Sequence, residues 1–220
     1  MKNTFLAVGF ISAALFLGCS KKTEQSEQTP PGQSAKDSTH VPETTHTGSS
    51  ADLEKDQDMM NQQMVQKLGQ ADKDYEDRFM DMMIPHHQSA INMAKDALVK
   101  TNRSELKQLA QDIISGQQRE IDQMKEWGKK WYGHSGGEMD KDMQMMNDRM
   151  VQALGPAGKE YEDHFIDEMI PHHEGAIAMA KDALKKTSRS ELKKLAQNII
   201  IAQEKEITLL KEWRTKWYGH

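Results

Sequence analysis

The sequence predicts an all-α fold: a helical bundle built from two tandem repeats, each a short helix followed by a long helical hairpin. Three observations carry that prediction. Met83-Ile84-Pro85-His86-His87 recurs as Met169-Ile170-Pro171-His172-His173, and at the same gapless offset of 86 residues positions 59–134 match 145–220 at 51 of 76 places. Self-similarity at a fixed period is the mark of a repeat architecture. Apolar residues inside each copy recur at spacings of three and four, the period of a helix with one buried face. No segment alternates apolar and polar residues convincingly, so essentially no sheet is expected.

The elements follow in order. Lys2 precedes an apolar run from Phe5 to Leu17, too short to span a bilayer but suited to a signal peptide, which we place at 1–18. Phe16-Leu17-Gly18-Cys19 resembles the bacterial lipoprotein box, with Phe16 where Leu is usual. That resemblance implies lipidation at Cys19 and a membrane anchor; Ser20 is compatible with the outer membrane. Residues 19–56 carry almost no large apolar side chains and read as a disordered tether. His40 and His46 within it are expected to be solvated.

The first repeat is placed at 57–134 and the second at 135–220. Each is near the lower size limit for an independent core. The two repeats must therefore pack on each other, or each must pair with another chain in a homo-oligomer. The short helix of the first copy holds Met59, Met60, Met64 and Leu68 and ends at Gly69; Met139, Met143, Met146 and Met150 form one stripe in the second. Whether these methionines are core or ligands stays open at this level.

The first long helix is expected from about Lys73 to Val99, with Tyr75, Phe79, Met83, Ala90, Ala94 and Ala97 on one face. Pro85 inside it predicts a kink. The next helix starts near Arg103 and runs through Leu106, Ala110, Ile113, Gln117, Ile121 and Met124 towards Trp131, stopping near Gly133. Asn102 with Glu105, and Ser188 with Glu191, are candidate capping pairs. Trp127, Trp131, Trp213 and Trp217 are read as packing at the bundle ends.

The chemistry lies on the inward faces. At about 100° per residue, His86 and His87 fall roughly 60° and 40° to either side of Met83, with Ala90 and Ala94 closer still. Gln117 sits mid-face on the opposing helix, with Glu120 and Met124 beside it. Inward Gln and Glu are costly without partners, and the imidazoles, or a metal they hold, are the natural ones. The candidate metal ligands are Met83, His86, His87, Gln117, Glu120 and Met124 in the first copy, and Met169, His172, His173, Gln203 and Glu206 in the second.

Thioether with imidazole favours Cu(I) and Ag(I); the histidines would also accept zinc or Cu(II). A di-iron bundle presents Glu-x-x-His pairs. The helical repeats contain none, and carry Met83-x-x-His86 and Met169-x-x-His172 instead. The first copy is richer in sulfur: Met80, Met82 and Met124 become Ile166, Glu168 and Leu210, while Arg78 becomes His164. His134 and His220 end the copies and are expected to be exposed.

The residues Asp77-x-Phe79, Met83 to His87, Ala90, Ile91, Met93, Ala94, Gln117, Glu120, Ile121 and Trp127 resemble the domain of unknown function 305 family (DUF305). The second copy matches at Asp163, Phe165, Met169 to His173, Ala176, Ile177, Met179, Ala180, Gln203, Glu206, Ile207 and Trp213. This resemblance implies a ferritin-like fold and an exported protein, and some relatives are periplasmic copper-binding proteins. The expectation is therefore a lipid-anchored protein of the bacterial envelope, facing the periplasm, that buffers copper in two related sites. A net charge of −5 with both signs interspersed points away from nucleic acid. No nucleophile–base pair or cofactor loop is visible, so no enzyme is expected. The rival readings are a ferritin-like metal-dependent oxidoreductase and a metal-free interaction protein of the envelope.

Overall fold

The computed structural model describes residues 50–220 apart from residue 140. The described residues lie within one compact unit. The expectations for the signal peptide, Cys19 and the tether up to residue 49 lie outside them. Six helices follow in order: α1 Ser50–Leu68, α2 Tyr75–Lys100, α3 Ser104–Tyr132, α4 Lys141–Ala153, α5 Tyr161–Lys186 and α6 Ser190–Tyr218. There is no strand among the described residues. The architecture is all-helical, as the periodicity requires.

Two boundaries differ from the sequence reading. Helix α1 begins at Ser50, inside the stretch given to the tether. The capping pairs are not used: the residues before α3 and α6 are Arg103 and Arg189, and neither end carries a side-chain cap. Thr101 and Thr187 shape these turns instead, each hydroxyl accepting from the arginine N–H two residues on, at 3.0 and 3.1 Å. Both α2 and α5 run unbroken through their prolines. Ser89 Oγ donates to the Pro85 carbonyl at 3.3 Å. Gly133 and Gly219 end the long hairpins in the left-handed conformation, at φ 86° and 82°.

The repeats pack on each other, and they do so reciprocally. Helices α2 and α5 lie against one another, each with its own hairpin partner. The short helices cross over: α1 lies mainly along α5, and α4 mainly along α2. The core accordingly splits into two clusters, each drawn from both repeats. One joins Ala90, Met93, Ala97, Leu106 and Ile113 to Phe165, Met169, Leu210 and Trp213. The other joins Phe79, Met83, Ile121 and Met124 to Ala176, Ala180, Leu192 and Ile199.

Matched polar latches hold the copies in this arrangement. Tyr75 donates to Asp182 at 2.8 Å and Tyr161 to Asp96 at 2.9 Å. Thr187 donates to Glu76 and Thr101 to Glu162, both at 2.7 Å. Burial, reinforced by the facing carboxylates, drives both tyrosine pKa values upward, so each hydroxyl stays a donor. At the ends, Trp127 stacks on Trp131 and Trp213 on Trp217. Arg189 lies 4.1 Å over Trp131, and Arg103 lies 4.1 Å over Trp217. Trp131 and Trp217 therefore each stack within their own hairpin and receive a cation from the other repeat.

Candidate metal centre

Between the two core clusters lies a layer of imidazoles. The inward face of α2 carries His86 and His87, and that of α5 carries His172 and His173. His87 and His173 are fully buried. His87 Nε2 lies 2.8 Å from Glu120 Oε2 across its hairpin. His173 Nε2 lies 2.7 Å from Glu206 Oε2, within ion-pair distance but out of line for a hydrogen bond. The cross-hairpin pairing of His with Glu expected from the helical period is thus present in both copies.

The other two histidines do something the repeat alone does not announce. His86 and His172 come from different copies, yet their ring centroids are 3.8 Å apart. The two histidine pairs therefore meet in one layer spanning the repeat interface. Nδ1 of all four histidines is buried without a hydrogen-bond partner among the described residues. Gln117 is buried with both amide atoms unpartnered, and Gln203 has an unpartnered Oε1. Buried polar atoms are paired in the great majority of cases, so such a concentration asks for a ligand.

Electrostatics keeps the imidazoles ready for one. Burial, with the neighbouring His87 and His173, lowers the pKa of His86 to about 3. Burial, with His86 and His173 nearby, places His172 well below its ordinary value. Both rings are therefore neutral at pH 7, and a neutral imidazole keeps a lone pair for a metal.

Sulfur borders the same spot. A Cβ on Gly175 would collide with the terminal methyl of Met64 and stand 3.3 Å from His86 Nε2 and 3.5 Å from Met64 Sδ. Helix α1 thus brings a thioether beside the imidazole layer, in the space left by the missing side chain of Gly175. Sequence reasoning left Met64 undecided. The signal was present in the copies' disagreement, since Gly175 stands where the first copy has Ser89. Met83 and Met124 are fully buried in one cluster and Met169 in the other. Leu210 takes the second copy's place for Met124 and is fully buried too.

A helical bundle of two reciprocal repeats with a His/Met layer defines the class. The chain belongs to the DUF305 family, described as a domain of unknown function, whose model matches residues 19–128 and 129–214. Solved structures resemble it along most of their own length. CopM in the Cu(I)-bound form is 40% identical, with a TM-score of 0.57, covering 66% of this chain and 98% of that one. CopM in a silver-bound form is 39% identical, with the same TM-score and coverage. A DUF305 protein from Streptomyces coelicolor is 26% identical, with a TM-score of 0.56, covering 66% of this chain and 94% of that one. An uncharacterized protein of Acanthamoeba polyphaga mimivirus is 47% identical over 47 residues; the match spans 21% of this chain and 31% of that protein.

Proposed function

We propose that this is an exported copper-binding protein that holds Cu(I) in the imidazole layer between its repeats, buffering the metal or handing it on. The observation that carries this reading is the set of four buried, unpartnered Nδ1 atoms at the repeat interface, bordered by the Met64 thioether. Neutral imidazoles and a thioether suit a soft monovalent ion. The likeness to CopM in its Cu(I)-, Ag- and Cu(II)-bound forms supports copper as the metal. Glu120 and Glu206 act in this reading as acceptors that orient His87 and His173, as carboxylates commonly do behind a metal-bound imidazole. His86, His172 and Met64 would supply direct ligands. Met83, Met169 and the two glutamines would complete the walls.

The reading predicts tighter binding of Cu(I) or Ag(I) than of Fe(II) or Mn(II). Competition with a chromogenic Cu(I) chelator tests it. Stoichiometric iron with no Cu(I) retention would overturn it.

The location we propose is the periplasmic face of the bacterial outer membrane, through lipid on Cys19. Wild-type protein should then sediment with membranes, and exported Cys19→Ala protein should be soluble. Wild-type protein already free in the periplasm would rule out the anchor.

A further inference from the structure

A second cluster of ligating side chains lies at the end of the first hairpin. Asp77 and Asp81 are one turn apart on α2, and His134 follows the C-terminus of α3. One ligand atom from each lies within 4.8 Å of the other two. His134 Nε2 is 3.2 Å from Asp77 Oδ2. The other oxygen, Asp77 Oδ1, is buried and has no hydrogen-bond partner, as is also true of Asp163 Oδ1 in the second copy. Asp81 Oδ1 accepts the backbone N–H of Gly137 at 2.8 Å, which folds the chain after α3 back onto α2. Asp77 and Asp81 are nine and five residues before His86, about 13 and 7 Å along the helix at 1.5 Å per residue. This cluster is therefore separate from the imidazole layer.

The second copy shows what such a cluster attracts. Asp163, Asp167 and His220 are the equivalents, and His220 Nε2 lies 3.5 Å from Asp163. There the protein supplies its own cation: the Arg214 guanidinium pairs with Asp167. The first copy has Gly128 at the position of Arg214. No side chain fits there, because a Cβ would stand 2.6 Å from the His134 carbonyl oxygen. Among the described residues, neither Asp77 nor Asp81 pairs with a lysine or arginine; His134 is their ionisable neighbour. Two carboxylates are thus gathered where the sister site holds a positive charge, and an imidazole stands beside them.

We propose that Asp77, Asp81 and His134 form a further metal site, for a divalent cation of the zinc class. Two carboxylate oxygens and one imidazole are poor donors for Cu(I) and ordinary ones for Zn(II), and three protein ligands leave a fourth position to water. The bound ion would staple the segment after α3 to α2. It takes the place that Arg214 fills in the second copy.

Zinc titration by isothermal calorimetry tests the site on full-length protein carrying His86→Ala and His172→Ala, which removes two imidazoles of the copper layer. The expected result is one Zn(II) equivalent, bound at least tenfold more tightly than after further Asp81→Asn and His134→Ala changes. Asp167→Asn in the second copy should leave the zinc isotherm unchanged. His134 is half exposed, so its removal spares the core, and circular-dichroism melts without metal check that each variant folds. In NMR, added Zn(II) should shift the His134 ring resonances and leave those of His220 in place. Zinc binding unaffected by Asp81→Asn with His134→Ala, or lost on Asp167→Asn alone, overturns the assignment. Because the readout is zinc on a protein lacking His86 and His172, it stands or falls apart from the copper reading.

Discussion

His86→Ala is expected to strip Cu(I) from the protein rather than to halve its content. In a chain with one site per repeat, the second copy would keep its own metal after a change in the first. The structure instead brings His86 and His172 into ring contact, with Met64 of the first repeat reaching Gly175 of the second. A shared ion would lose a direct ligand from either side. Removing even an outer partner of a metal ligand commonly costs roughly ten- to a hundredfold in affinity. A direct ligand should cost about a hundredfold or more. His172→Ala should match His86→Ala, and the double variant should lose little beyond either single one, since one lost ligand already empties the site. Copper per folded molecule, measured after chelator competition, checks this. Retention of half the metal by either single variant would restore the two-site picture and end the shared one.

Phe79→Ala should destabilise the metal-free protein by about 3–5 kcal/mol, the usual range for emptying a buried phenylalanine site. Phe79 is fully buried. Its cluster is completed by Ala176, Ala180, Leu192 and Ile199 of the other repeat. Phe165→Ala should cost about the same, because Phe165 packs with Ala90, Ala94 and Leu106 of the first repeat in the equivalent cluster. Each variant should still unfold in a single transition, because neither cluster belongs to one repeat. Denaturant unfolding followed by circular dichroism and by tryptophan fluorescence would test both points. Two separated transitions, or coincident loss from one repeat only, would contradict the reciprocal core.

Much of this was legible from residue spacing. The period of three and four placed Tyr75, Phe79, Met83, Ala90 and Ala94 on the buried face of α2, and the same wheel turned Gln117 and Glu120 of α3 inward, with the imidazoles as their natural partners. Both are local consequences of helix geometry. The meeting of His86 with His172 was not legible, because periodicity says which face is buried and not which partner covers it. The crossing of α1 onto α5 was hidden for the same reason. The capping pairs failed on a tertiary effect: the hydroxyls of Thr101 and Thr187 are drawn to glutamates of the other repeat, and the helices begin one residue later than those pairs require. Met64 could have been recognised from the change of Ser89 to Gly175, a loss of one side chain at the point where a thioether needs room.

The crossed packing also bears on the order in which the protein is made. A ribosome releases the N-terminal hairpin first, and the equivalent residues of the second copy follow 86 positions later. At about 5–20 residues per second that is a delay of roughly 4–17 s. Throughout it Phe79, Met83 and Met124 have no cover from the second repeat, and His86 has no His172 to face. The imidazole layer comes into being only when the chain has run on past its second histidine pair, so an unfinished polypeptide holds no assembled layer.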